Sequence, residues 1–287
     1  MPLEGKKLFW PIDVLTLGYN SSIILLLLVF GHNLDNWKFL LFYNLLITAV
    51  ILFIVYTFSH ASNWQKFIRY FYPMILFTFL YEETASLVHI IFPKWFDYQI
   101  NALEKHLLGV YPTVWLEKIV SVPLNEVMGL GYFSYYFLFP ILGIALYLKK
   151  EYKVFNQFLF TIAVAFYISY LGFLLYPVEG PRYALSNFHT LELQGPLFTP
   201  LAKWVIDLGG IHGGCMPSSH VAVALIVLVF AFRHHKRLFY ILSPFIFTLF
   251  VGTVYCRFHY ASDVVAGLLL GVLTLWMSDK IFEKIYP

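Results

Sequence analysis

The chain has 287 residues, of which 60% are hydrophobic, 20% aromatic and 12% charged, about half the charged fraction of an ordinary soluble domain. A soluble fold of this length would leave large apolar patches in water, so the composition excludes one and predicts an integral membrane protein. The net charge of +3 is too small, and too confined to the ends of apolar runs, for a nucleic-acid partner.

A helix needs about 20 mostly apolar residues to cross a hydrocarbon core. Eight runs qualify, at about 12–31, 38–58, 68–92, 130–149, 154–177, 217–233, 238–256 and 262–283. Backbone groups in lipid need internal partners, and barrel strands would be about half as long, so the runs predict an all-α integral membrane protein of about eight transmembrane helices. The first run, from Pro11, is long and lacks a small-residue cleavage site after a short core, which predicts a span rather than a signal peptide.

Two segments do not fit spans. Residues 93–129 mix Trp95, Tyr111 and Trp115 with Asp97, Glu104, Lys105, Glu117 and Lys118. Within them Ile100, Leu103, Leu107 and Leu108 recur at helical spacing, predicting interfacial helices on one membrane surface. Residues 178–216 hold Pro181, Pro196, Pro200 and several glycines and predict an ordered loop. No internal repeat is visible. The expected division is 1–67, two N-terminal transmembrane helices, and 68–287, a membrane core containing both segments.

Charge sets the expected orientation. With eight spans and the N-terminus inside, the cytoplasmic side holds Lys6, Lys7, Lys66, Arg69, three cations at 149–153, three at 233–237, Lys280 and Lys284, or 12 of the 19 Lys and Arg. Both termini are then cytoplasmic, and the 178–216 loop and the turn near 257–261 share the extracytoplasmic face. A bacterial inner membrane is the expected setting, no sorting tail being visible.

Three polar clusters fall at helix ends on that face: Gly180-Pro181-Arg182, Pro217-Ser218-Ser219-His220, and Arg257-Phe258-His259-Tyr260 followed by Asp263. Pro217 suits a first helical turn, whose free N–H groups, with the hydroxyls of Ser218 and Ser219, favour a bound anion. Arg182 and Arg257 carry forked donors that match phosphate oxygens. Asp263, four residues after His259, can hold one ring N–H and leave the other nitrogen free to attack. His220 can protonate the leaving oxygen. Nucleophile, orienter, acid and charge clamp are the parts of phosphoryl transfer. Each residue alone has a plainer reading as interfacial histidine, snorkelling arginine or helix cap; the convergence of three clusters on one face favours the site.

These three clusters resemble the signature of the type 2 phosphatidic acid phosphatase superfamily, well over about 130–283 and more loosely from 68. The resemblance implies a six-helix core preceded by two extra helices, a phosphohistidine at His259 oriented by Asp263, acid–base work by His220, and phosphate binding by Arg182, Arg257 and Ser218. It also implies a lipid phosphate substrate, no metal and no cofactor. Three positions depart from the usual pattern: Leu175 where a lysine is common, Tyr183 where a proline follows the arginine, and Thr253 where the third-motif arginine usually lies. The variant resembles the inositol phosphorylceramide synthase branch. Water as acceptor makes a phosphatase, and a lipid or polyol hydroxyl makes a phosphotransferase; both stay open. From another class, a lipid or anion transporter would only bind, but it is expected to show an inverted repeat or broken paired helices, and neither is seen.

Glu82, Glu83 and His89 lie in or beside the third run and are candidates for a head-group pocket, against structural pairing between helices. Cys215 and Cys256 precede the second and third clusters and lack zinc-site spacing. Buried free thiols are expected there rather than a disulfide. Oligomeric state is not legible.

Overall fold

The computed structural model describes residues 8–58 and 63–285; Lys6 and Lys7 of the cytoplasmic charge count lie outside them. The helices are, in chain order, α1 (Pro11–Phe30), α2 (Trp37–Thr57), α3 (Asn63–Leu87), α4 (Asp97–Leu108), α5 (Pro112–Trp115), α6 (Val122–Leu148), α7 (Tyr152–Leu175), α8 (Pro181–Ala184), α9 (Phe198–Gly209), α10 (Ser219–His234), α11 (Lys236–Tyr255) and α12 (Ala261–Ile285). Among the described residues there is no strand, only a bridge between Val178 and Gly214. Eight long helices stand where the eight apolar runs predicted them. Six of these, α1, α2, α6, α7, α11 and α12, are long and apolar enough to cross a membrane. Of the other two, α3 carries Lys66, Arg69, Glu82 and Glu83, and α10 has only 16 residues.

The bundle is organised around α7, whose apolar residues run round its whole circumference, so neighbours must cover every face. Phe155, Phe158, Ile162, Ala165 and Phe173 are all fully buried. Of the two N-terminal helices, α1 docks on this centre: Tyr19 stacks on Tyr167 at 4.5 Å, and Thr16 Oγ1 lies 2.9 Å from Tyr167 Oη. Helix α2 packs on α1, where Asn20 donates to the Asn44 carbonyl at 2.8 Å. Buried Asp13 of α1 also takes a fork of hydrogen bonds from buried Arg69 of α3, with the Tyr72 hydroxyl and the Trp10 N–H as further donors.

Three boundaries differ from expectation, each for a local reason. The third helix stops at Leu87 rather than 92. Pro93 disfavours helix at the residue before it, and the Ile90 N–H instead closes a turn on the Leu87 carbonyl. The fourth starts at Val122 rather than 130, because Ser121 takes extended backbone as N-cap and the following proline sits in the first turn. The 178–216 segment is ordered but contains α8 and α9. Pro200 sits in the first turn of α9, where a missing N–H is harmless, and Glu126 of α6 accepts the N–H groups of Leu197, Phe198 and Thr199.

The leucines of α4 lie outward, as a helix resting on a membrane surface needs, and its inner face carries carboxylates. Leu103, Leu107 and Leu108 are 50%, 68% and 56% exposed, while Asp97, Ile100 and Glu104 face the protein and are buried. The carboxylates point inward because loop and helix-end N–H groups wait there. Glu104 accepts both the N–H and the hydroxyl of Ser262 at the start of α12. Glu117 accepts the Thr190 N–H and hydroxyl. The interfacial segment is thus a rack of carboxylates that fixes the backbone carrying the three polar clusters.

Candidate active site

The third cluster is built by a chain reversal. Helix α11 ends at Tyr255, and Arg257 takes a left-handed φ of +65°, a conformation costing a non-glycine residue about 1–2 kcal/mol. The N–H groups of both Phe258 and His259 then return to the Thr253 carbonyl at 3.0 Å. Helix α12 begins only at Ala261, so His259 and Asp263 do not meet as two turns of one helix. Asp263 is instead the first-turn carboxylate that caps the Tyr260 N–H at 2.9 Å. From there its Oδ2 lies 3.4 Å from His259 Nδ1, and the Cys215 carbonyl lies 3.1 Å from the same nitrogen. With two oxygen acceptors around it, Nδ1 carries the proton, and Nε2 keeps its lone pair.

The second cluster supplies what faces that lone pair. Ser218 is the N-cap of α10, its hydroxyl accepting the Val221 N–H at 3.4 Å. Ser218 is fully buried, and its N–H donates to the Asp263 carbonyl at 3.2 Å. Helix α12 comes this close only because position 267 is glycine: a Cβ there would stand 2.5 Å from the Ser218 carbonyl oxygen. His220, in the first turn, places Nδ1 3.4 Å from His259 Nε2 and Nε2 3.2 Å from the Tyr132 hydroxyl. With both rings neutral the contacts give one proton order: Tyr132 O–H to His220 Nε2, His220 Nδ1–H to His259 Nε2, and His259 Nδ1–H to Cys215 and Asp263.

The first cluster opens α8, with Gly180 as its N-cap and Pro181 and Arg182 in its single turn. Gly180 has φ +104°, and a Cβ on it would stand 2.7 Å from Cys215 Sγ, so both conformation and space require glycine. Asp97 holds this turn by accepting the Glu179 and Gly180 N–H groups at 2.8 Å, and it also takes the Tyr260 hydroxyl at 2.9 Å. Burial and that carboxylate keep the Tyr260 phenol well above its ordinary range, hence a donor. Arg182 is a third exposed and donates through Nη2 to Asp207 at 2.7 Å; its Nη1 is buried with no partner among the described residues. Arg182, His220, His259, Cys215, Tyr81 and Glu179 line one cavity of about 50 Å³.

The other predicted residues lie around this centre. Arg257 donates to Glu117 at 2.7 Å and to the Leu191 carbonyl at 2.6 Å, and lines a neighbouring cavity with Arg182 and Lys203. Ser219 and Glu82 line a third cavity, which also reaches His220. Glu83 does not join them: it is buried between α2 and α3, accepting from Asn44. His89 packs edge-on against Trp95 at 4.3 Å, with Nδ1 2.9 Å from the Phe92 carbonyl. Both cysteines are free thiols. Cys215, His259 and Asp263 offer ligand atoms within 4.8 Å of one another. Burial, then the Asp263 charge, pushes the Cys215 thiol well up, which opposes the thiolate a metal would need.

Sequence reasoning missed Tyr132 and Tyr135, the latter with its ring 4.3 Å from that of His220. Among 21 tyrosines neither carried a distinguishing signal. For the carboxylate rack the signal existed: Asp97 and Glu104 are seven apart and share a helical face with Ile100.

Fold and site define an all-α integral membrane protein in which two histidines, a carboxylate and an arginine converge from three helix ends. The family model of the PAP2 superfamily matches residues 99–277, more than half of the chain, and the chain belongs to that superfamily. Membership supports a phosphatase-type phosphoesterase activity. Neither a curated protein nor a solved structure matches the chain.

Proposed function

We propose that this protein is a metal-independent lipid phosphate phosphatase or phosphotransferase that works through a phosphohistidine on His259 at the extracytoplasmic surface. The observation that carries the reading is the ordered contact chain from Tyr132 through His220 to His259 and Asp263, in a cavity that Arg182 also lines. In the first half-reaction the His259 Nε2 lone pair attacks phosphorus, the ester P–O bond breaks, and the leaving oxygen takes the His220 Nδ1 proton. Asp263 and the Cys215 carbonyl stabilise the ring as it becomes cationic. In the second half an incoming hydroxyl gives its proton to His220 and attacks phosphorus, and the P–N bond breaks. In-line displacement puts the leaving oxygen opposite Nε2. His220 therefore parts from the 3.4 Å contact to make room for the phosphoryl group.

Charge favours a head-group phosphotransferase within this reading. Positions 175, 183 and 253 hold Leu, Tyr and Thr, and Thr253 is fully buried. Among the described residues Arg182 is the one Lys or Arg lining the histidine cavity, and Arg257 is engaged by Glu117 in the next. A phosphodiester, with one negative charge, suits a single arginine better than a monoester with about −1.5 to −2. The test is product analysis of the purified protein with labelled phosphatidic acid and labelled phosphatidylinositol, with and without an acceptor alcohol, beside His259→Ala. Head group on the acceptor, lost in the variant, supports transfer; free phosphate lost in the variant supports a phosphatase. Turnover surviving His259→Ala contradicts both. Ligand binding with no turnover of either lipid favours the transporter reading.

A further inference from the structure

His220 belongs to two cavities. Beyond the small polar one lies a larger space of about 360 Å³ between α3, α6, α7 and α9. Its walls are apolar and aromatic, among them Phe77, Tyr135, Phe139 and Phe166, and it shares Tyr81, Ile206 and Gly210 as well as His220 with the polar cavity. One carboxylate stands in this wall. Glu82 is exposed and makes no hydrogen bond or ion pair among the described residues, unlike Glu83 beside it, which is buried against Asn44. It lies five residues from the end of α3, about 7.5 Å along the axis. An ionisable group there, without a protein partner, in a cavity touching the acid–base histidine, is placed to meet a ligand.

Resting on the phosphohistidine reading, the chemistry says which part of the ligand that is. The leaving oxygen takes a proton from His220 and the incoming oxygen returns one to it, so both alcohols occupy the His220 side of phosphorus. The polar cavity with Arg182 keeps the phosphoryl oxygens. We propose that the 360 Å³ cavity is the alcohol side of the site, and that Glu82 is a specificity-determining residue accepting a hydrogen bond from a second hydroxyl or an ammonium group on an otherwise apolar alcohol. The aromatic walls take the hydrocarbon. An alcohol without the donor displaces water from the carboxylate and returns no hydrogen bond, so the site disfavours it.

The experiment measures binding of alcohols rather than turnover, so it is separable from the parent reading. A long-chain 1,2-diol, the matching 1-alcohol and the matching 2-amino-1-alcohol are titrated against the full-length protein in nanodiscs, as wild type, Glu82→Ala, Glu82→Gln and His259→Ala. Wild type is expected to prefer a donor-bearing alcohol over the plain one by about tenfold or more. Glu82→Ala brings the ratio near one by weakening only the donor-bearing ligand, and the plain alcohol's undiminished binding shows that the cavity is intact. His259→Ala, which stops turnover under the parent reading, keeps the preference. Glu82→Gln keeps much of a hydroxyl preference and loses an ammonium preference, which identifies the donor. A ratio near one in wild type, or a preference that survives Glu82→Ala, overturns the proposal. Phosphoester turnover that persists in His259→Ala overturns the parent reading alone.

Discussion

Two buried aspartates sit at opposite ends of α7, and they are satisfied to very different degrees. Near its N-terminal end, where Tyr70 stacks on Tyr152 at 5.2 Å, Asp13 takes four donors: two from Arg69, the Tyr72 hydroxyl and the Trp10 N–H. Near its C-terminal end, Asp263 caps the Tyr260 N–H and stands 3.4 Å from His259, and its Oδ1 has no partner among the described residues. Folded proteins satisfy buried polar atoms almost without exception, so unspent capacity in a buried carboxylate calls for an explanation. The first cluster is a lock that joins α1 to α3. Under the proposed mechanism, the second keeps capacity in reserve for a ring that becomes charged.

That contrast is broken most severely at the site. Asp263→Asn is expected to lower turnover by about 10³-fold, since an amide cannot stabilise the imidazolium and can impose the wrong tautomer. Thermal unfolding is expected to move little, because a neutral side chain is easier to bury. A large loss of stability with turnover retained would make Asp263 a second lock. At the other end, Asp13→Asn leaves Arg69 buried beside no counter-charge and is expected to cost about 3–5 kcal/mol, with turnover per folded molecule unchanged. Pairing Asp13→Leu with Arg69→Met is expected to recover most of it, as a double-mutant cycle on unfolding will show.

A smaller effect tests the loop between the clusters. Burial and the Arg257 charge bring His189 from its ordinary 6.5 down to about 4. The undocked loop therefore takes up a proton that the docked one refuses. Docking is fully present above about 6.5 and weakens as pH falls towards about 4. Glu117 adds to this at lower pH. Burial would raise its carboxyl, but hydrogen bonds from Thr190 and Leu191, with Arg257, hold it below its ordinary value, and the anchor is lost as it protonates. Protection factors across 186–194, taken relative to the intrinsic exchange rate at each pH, are expected to fall on acidification, and His189→Asn to flatten the first part of that dependence. An unchanged profile in His189→Asn would exclude the histidine as its source.

Much of this was legible in the sequence because it is local. Twenty apolar residues make a span wherever they fall, and the three clusters name their own chemistry by short spacings. The His259–Asp263 pair was readable from a separation of four, although a cap rather than a helical turn delivers it. What escaped was settled by partners far along the chain. The inward turn of Asp97 and Glu104 on α4 is set by N–H groups of Glu179, Gly180 and Ser262, far along the chain. Tyr132 reaches His220 across 88 positions, and no local pattern announces such a contact.

The most direct test of the central claim is to trap the covalent intermediate. Purified protein is mixed with ³²P-labelled phosphatidic acid or phosphatidylinositol, quenched in alkali during turnover and mapped by mass spectrometry. A phosphoryl group, bare or still carrying its head group, is predicted on His259, acid-labile and absent from His259→Ala. Turnover with no modified histidine, or modification on His220 instead, would contradict the account.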